Sequence, residues 1–212
     1  MYHLFGRRGW GSVLVEAQLA WYGLPYQIAE VDDLFTSRAA RERLSEVNPV
    51  AQLPTLVLPD GTVMTESAAI TLYLADITES ALVPSPGHVT RPRFLRWLIF
   101  LVTNIYPTFT YADDPSRFVT GKAAQAAFKE SVDDYAKRLW RIVEQASAGP
   151  WFLGEHFSAI DIYIAAMTRW RPRRAWFAEH CPRLSAIALA ADAQPKLVAV
   201  WERNYPDGAN PA

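Results

Sequence analysis

The sequence predicts an α/β unit followed by an all-α unit, and three observations carry that reading. The first eighty residues alternate short strand-like runs with stretches of helical periodicity, in the order β-α-β-α-β-β-α. Residues 79–90 hold Pro84, Pro86 and Gly87 with little periodicity, as a linker does. Beyond them the apolar spacing is helical throughout. The expected organisation is therefore an N-terminal domain over 1–80, a linker over 81–90 and a helical domain over 91–212.

Each element has a local reason. Tyr2 to Phe5 is a short strand, and the Gly-rich turn from Gly6 to Gly11 leads into a helix over Ser12–Tyr22, where Val13, Ala17, Ala20 and Trp21 share one side. Gly23 stops that helix, and Tyr26 to Val31 alternates as a second strand. A charged helix over Thr36–Glu46 ends at Asn48–Pro49. Leu53 to Leu58 is an apolar strand, joined through the tight turn Pro59–Asp60–Gly61–Thr62 to Val63–Met64. A helix opens at Glu66–Ser67 and carries Ile70, Leu74 and Ile77 along one stripe. In the second unit, Arg91–Tyr106 and Gly121–Ala146 read as long amphipathic helices, the latter capped by Thr120, with a helix break over Pro107–Pro115 between them. Ser158 and Asp161 form a capping-box pattern ahead of a helix that is apolar on most sides, so it should run through the centre of its domain.

Composition excludes several classes of function. Half of the 212 residues are apolar and 20% are charged, a balance that suits a packed globule rather than a disordered chain. Twenty-one basic residues against 22 acidic ones leave a net charge of −1, so no global field attracts nucleic acid or an anionic membrane. One cysteine, Cys181, cannot close an intrachain disulfide, and with four scattered histidines it offers no metal-ligand spacing. The N-terminus has no signal-peptide pattern, and the stretch Trp97–Ala112 is too short to span a bilayer; the expectation is a cytoplasmic protein.

Three motifs then narrow the reading: Val47–Asn48–Pro49–Val50–Ala51–Gln52–Leu53–Pro54–Thr55–Leu56, Thr65–Glu66–Ser67–Ala68–Ala69–Ile70, and the Phe157–Asp161 capping box. In this order and spacing the chain resembles the cytosolic glutathione S-transferase family, in a bacterial, beta-like form with Ser rather than Cys at the start of the first helix. The resemblance implies a thioredoxin-like N-terminal domain, an all-α C-terminal domain, a homodimer, and a thiol site in the cleft between domains. It implies glutathione as co-substrate, no metal, and transfer of the thiol to an apolar electrophile in detoxification. In that frame Leu53, ahead of a cis Pro54, pairs its main chain with the tripeptide, and Gln52 adds an amide contact. Glu66 meets the γ-glutamyl ammonium, while Ser67 and the helix-terminal N–H groups meet its carboxylate.

The catalytic position implied by the resemblance lies in Gly9–Trp10–Gly11–Ser12, with the Ser12 hydroxyl donating to the thiolate; the structural alternative is that Ser12 only caps its own helix. The Arg7–Arg8 doublet offers a contact for the glycyl carboxylate or an anionic co-substrate, with Arg8 the favoured member; the structural alternative is a doublet that is simply solvated on a surface loop. Trp10, Tyr106, Phe109 and Tyr111 form the electrophile pocket, with Phe118 close by, although aromatics at such spacing also serve as core. Asn104 reaches the partner subunit's glutathione site. Cys181 is structural. Isomerisation, reductive dehalogenation or peroxide reduction on the same fold, and a non-catalytic binding module, are the competing readings.

Overall fold

A computed structural model describes residues 1–78 and 81–206. Glu79 and Ser80, at the end of the N-terminal domain of the sequence reading, and residues 207–212 at the end of its helical domain lie outside the described residues. Strands β1 (Tyr2–Gly6), β2 (Tyr26–Glu30), β3 (Thr55–Val57) and β4 (Val63–Met64) are interleaved with helices α1 (Val13–Tyr22), α2 (Arg38–Ser45) and α3 (Ser67–Asp76). Then follow α4 (Arg91–Phe100), α5 (Tyr106–Asp113), α6 (Lys122–Ala146), α7 (Ala159–Met167), α8 (Arg174–His180), α9 (Pro182–Asp192) and α10 (Val198–Asn204). The chain divides into two compact units: Met1–Val83 together with the segment from Ala191 onward, and Pro84–Ala190.

In the first unit the sheet order is β2-β1-β3-β4. The crossover through α1 makes β2 parallel to β1, whereas β3 runs antiparallel to both β1 and β4. Alternation along β1 sorts its side chains: Tyr2 and Leu4 pack with Val15 and Leu19 of α1 and Ile70 and Leu74 of α3. Phe5 faces the other way, against Leu34 and the α2 residues Ala40 and Leu44. The sheet is thus covered by α1 and α3 on one face and α2 on the other. The Pro59–Thr62 turn closes as expected, with the Thr62 N–H donating to Asp60 Oδ1 at 2.9 Å, a bond that holds the Asp60 carboxyl below its usual range.

In the second unit all nine residues of α7 are buried, as its apolar sequence anticipated. Its N-terminus is organised by Asp161, which is fully buried. Oδ2 accepts from both the N–H and the hydroxyl of Ser158, at 2.8 and 2.9 Å, and Oδ1 accepts the Phe152 N–H at 2.8 Å. Burial pushes the Asp161 carboxyl up to about 6 against the pull of those donors.

Two local expectations are corrected. The helix break over Pro107–Pro115 does not exist as such: the helical path continues to Asp113, and a five-residue π segment, Leu101–Ile105, precedes Pro107. Proline lacks the N–H an α-helix interior needs, and the wider i→i+5 turn just before it accommodates the missing donor. Thr120 does not cap α6; Gly121, at φ 87°, is the N-cap, and no side chain bonds the helix start. The segment from Ala191, assigned to the helical domain by the sequence reading, carries α10 into the first unit.

Replacing Asp161 by Ala orphans three buried donors, each worth about 1–3 kcal/mol when left unpaired, so urea denaturation should show a loss of at least ~3 kcal/mol. Cys181 is buried, and burial together with Glu144 pushes its thiol up to about 12. It should resist a disulfide-exchange reagent at roughly pH 8 until the chain unfolds; stoichiometric labelling of the native protein within minutes would contradict that placement.

Candidate functional site

The strand register gathers most of the candidate residues at one end of the sheet. Phe5 of β1 lies opposite Thr55 of β3, so the turn leaving Gly6 sits beside the chain entering β3 through Leu53 and Pro54. Leu56 pairs with Met64, so β4 also ends there and delivers Thr65, Glu66 and Ser67 to the same edge. β2 ends alongside, with the Val31 N–H donating to the Gly6 carbonyl at 2.9 Å. A rigid sheet with variable connections at one end is a common way to hold a binding site.

The first connection is the turn Arg7–Trp10, closed by the Trp10 N–H donating to the Arg7 carbonyl at 3.1 Å, with Gly9 at φ 73° where a positive angle is required. Ser12 is not the side-chain cap of α1. Its side chain makes no cap bond to α1 and is 2% exposed. The hydroxyl accepts from the Arg7 N–H and donates to the Arg7 carbonyl, both at 3.2 Å, so its single hydrogen is already spent on the turn. It occupies the space left by Gly6, where a Cβ would lie 3.0 Å from Ser12 Oγ. The main-chain N–H groups of Gly11 and Ser12, by contrast, carry no hydrogen bond among the described residues.

The arginine doublet divides its work. Arg7 lies over the Trp10 ring at 5.5 Å and 3.6 Å from Asp33, an interaction that solvent screens to at most about 1 kcal/mol. Arg8 is exposed and makes no ion pair among the described residues. Trp10 is half-buried, 5.0 Å from Phe35, and packs on the group that includes Leu44 and Leu53.

The second connection is built by Asn48, which the sequence reading took as a helix break and as part of a motif but not as a site residue. Its Nδ2 donates to the Gln52 carbonyl at 3.1 Å and to Thr55 Oγ1 at 3.0 Å, its Oδ1 accepts the Val50 N–H at 3.1 Å, and Thr55 Oγ1 donates to the Gln52 carbonyl at 2.8 Å. This buried lattice pins Gln52 by its main chain and leaves the Gln52 side chain exposed. Leu53 is buried, and the Leu53–Pro54 bond is cis, as the resemblance implied. Pro54 brings no N–H to the edge it occupies.

At the third connection Glu66 adopts φ 62° and ψ 100°, a conformation that costs a non-glycine residue about 1–3 kcal/mol and is concentrated at functional sites. Its side chain is exposed. Ser67 is buried, yet its hydroxyl makes no hydrogen bond among the described residues, and the N–H groups of Ser67, Ala68 and Ala69 are the unspent donors of the α3 terminus. The start of α3 is fastened to α1 from below: Gln18 Nε2 donates to Thr71 Oγ1 at 2.9 Å, and Thr71 donates to the Ser67 carbonyl at 2.9 Å.

The remaining candidates belong to the second unit. Tyr106 and Phe109 meet Trp170 edge-on, at 5.7 and 5.0 Å, and Phe109 is a core residue at 7% exposure. Asn104 and Tyr111 line a different cavity of about 290 Å³ between the α5 region and α6, with Phe128 and Tyr135. Asn104 Nδ2 donates to its neighbour Thr103 at 3.0 Å.

A mixed four-stranded sheet covered by helices on both faces, followed by a helical unit, defines a thioredoxin-like domain with an all-α C-terminal domain. The family model for the glutathione S-transferase N-terminal domain matches residues 15–77. YncG, an uncharacterised GST-like protein of Escherichia coli (strain K12), is 38% identical over 205 residues, spanning 96% of this chain and 98% of its own. A glutathione transferase homologue from Sulfitobacter with bound glutathione superposes with a TM-score of 0.85 at 24% identity over 95% of this chain and 97% of its own. A sphingomonad glutathione S-transferase complexed with glutathione does so at 0.77 and 28%, over 94% and 97%. The chain belongs to the glutathione S-transferase family.

Two substitutions test the architecture of this edge. Asn48→Ala removes three hydrogen bonds, one buried and two part-buried, and should cost about 2–4 kcal/mol in urea denaturation. Gly6→Ala drives a methyl group against Ser12 and should cost about 1–3 kcal/mol; a neutral result for either would mean that the turn and loop are not held as described.

Proposed function

We propose that the protein is a glutathione transferase in which the first unit binds glutathione across the three connections described above. The tripeptide lies extended beside Gln52 and Leu53. Its γ-glutamyl carboxylate rests on the Ser67 hydroxyl and the α3 N–H groups, its ammonium at Glu66, and its thiolate over the start of α1. The observation that carries this reading is the convergence, at one end of the sheet, of two helix N-termini with unspent donors and a carboxylate held in a strained backbone. An ammonium and a carboxylate on one carbon match that pairing. The relatives solved with glutathione support it.

The chemistry required is thiol activation. A free thiol titrates near 8.5, and bringing it down by two units takes roughly 2.7 kcal/mol. A helix N-terminus supplies up to ~2 kcal/mol and a hydrogen bond to a charged group about 1.5–3 kcal/mol, so the Gly11 and Ser12 N–H groups on α1 suffice. The Ser12 hydroxyl is not needed as the donor; its part is to hold the turn. The thiolate then forms a carbon–sulfur bond with an apolar electrophile, whose leaving group departs with the bonding electron pair. The thiol proton passes to solvent. Arg8 is the proposed contact for the glycyl carboxylate, and Trp10 is the aromatic contact that the first unit is proposed to offer the electrophile. In the proposed homodimer Asn104 serves the partner's site.

Calorimetry with glutathione tests the binding half: saturable heat is expected for the wild-type chain, and Glu66→Gln should weaken the affinity about 10- to 100-fold. No heat at millimolar glutathione would remove the proposal. A panel of haloaromatics, peroxides and isomerisable enones tests the chemical half, with release of the halide and appearance of the thioether as the expected outcome.

A further inference from the structure

We propose that Asn204 is a positioning residue of the thiol subsite, clamping the Arg7–Trp10 turn against α1 from a helix 195 residues away in sequence; this rests on the reading that the glutathione sulfur lies over the start of α1. The origin of the clamp is a buried acid. α1 is apolar except for Glu16 and Gln18, and Glu16 is 1% exposed. A carboxylate so placed must be paired. Both of its oxygens are met from α10: Arg203 Nε donates to Oε1 at 2.7 Å and Nη2 to Oε2 at 3.2 Å, and Asn204 Nδ2 donates to Oε2 at 2.9 Å. Arg203 Nη1 reaches Glu30 at the end of β2 as well, at 3.1 Å.

The pairing determines what the Asn204 amide does next. Its nitrogen also donates to the Val200 carbonyl at 2.9 Å, so both amide hydrogens are committed to acceptors. The oxygen is thereby turned the other way, where it accepts the Gly9 N–H at 3.2 Å. A flipped amide would set its oxygen against a carboxylate and a carbonyl, so only one orientation is tenable. Asn204 is 5% exposed, and Gly9 is buried. The result is a closed polar circuit: α1 holds Asn204 through Glu16, and Asn204 holds the turn that feeds α1. That turn leads directly into the Gly11 and Ser12 N–H groups, whose direction decides how well they stabilise an anion. The Ser12 hydroxyl ties the same turn from inside at Arg7, and Asn204 ties it from outside at Gly9.

The test is a thiolate-absorbance titration of bound glutathione, with S-methylglutathione calorimetry as a binding measure that does not involve the thiol. Asn204→Ala should raise the bound thiol's pKa by about one unit, a tenfold change in its acid dissociation constant and a roughly threefold loss of thiolate at about pH 7, while S-methylglutathione affinity stays within about twofold. Trp201→Phe, in the same helix as Asn204, is the control for mere destabilisation, because it deletes the Trp201 bond to the Ala191 carbonyl of α9 without removing a hydrogen bond of the circuit. It should lower the melting temperature and leave the thiol pKa unchanged. An Asn204→Ala protein that titrates like wild type, or a Trp201→Phe protein whose thiol shifts as much, overturns the proposal. Should the alanine variant fail to fold, Asn204→Gln, with the same amide on a longer stem, is expected to show the same rise, and a wild-type pKa there is equally fatal. Failure of the wild-type chain to bind S-methylglutathione would instead overturn the glutathione reading itself, and this inference with it.

Discussion

The antiparallel pairing of β1 with β3, with Phe5 opposite Thr55, is the constraint on which the first unit depends. β1 and β2 are parallel because a helix joins them, so both end at the same edge. Reversing direction at β3 makes its beginning, not its end, arrive there, and the short hairpin to β4 returns the chain to that edge once more. One register therefore brings a glycine-rich turn, a proline-bearing loop and a helix start together. A slip of one residue would turn Leu4 and Leu56 away from α1 and α3, which makes the register costly to change.

Buried polar groups do the orienting in both units. Asp161 collects Ser158 and Phe152 around the start of α7; Asn48 collects Gln52, Val50 and Thr55 around the loop before β3; Glu16 collects Arg203 and Asn204 around α1. In each case the energetic logic is the same. A polar side chain removed from water is expensive unless matched, so the matching partners are held in one geometry, and the backbone carrying them is held too. The strained Glu66 backbone belongs to this scheme, since Gln18 and Thr71 brace the helix start that follows it.

What the sequence revealed follows from the range of the interactions. The capping box of α7 and the Pro59–Thr62 turn were legible because donor and acceptor lie within three residues of one another. The α/β and all-α organisation was legible because periodicity is a local property, and the Leu53–Pro54 and Glu66–Ser67 features because their motifs carry the family. The direction of the Ser12 hydroxyl was not legible, since it depends on the empty space at Gly6 and on a turn that folds back five residues. Pro107 read as a break because nothing in the spacing signals a π segment ahead of it. The placement of α10 was hidden for a different reason: a short helix does not state what it packs against. Its one available clue was Glu16, an acid on a helix otherwise buried, whose partner had to exist somewhere in the chain.

Whether one end of the sheet is a glutathione site is tested most directly by amide chemical-shift mapping on the isotope-labelled protein. Titration with glutathione should move the amides of Gly9, Gly11, Ser12, Leu53 and Ser67 together, with a common dissociation constant, and should leave those around α7 in place. Shifts concentrated in the helical unit, or the absence of any, would contradict it.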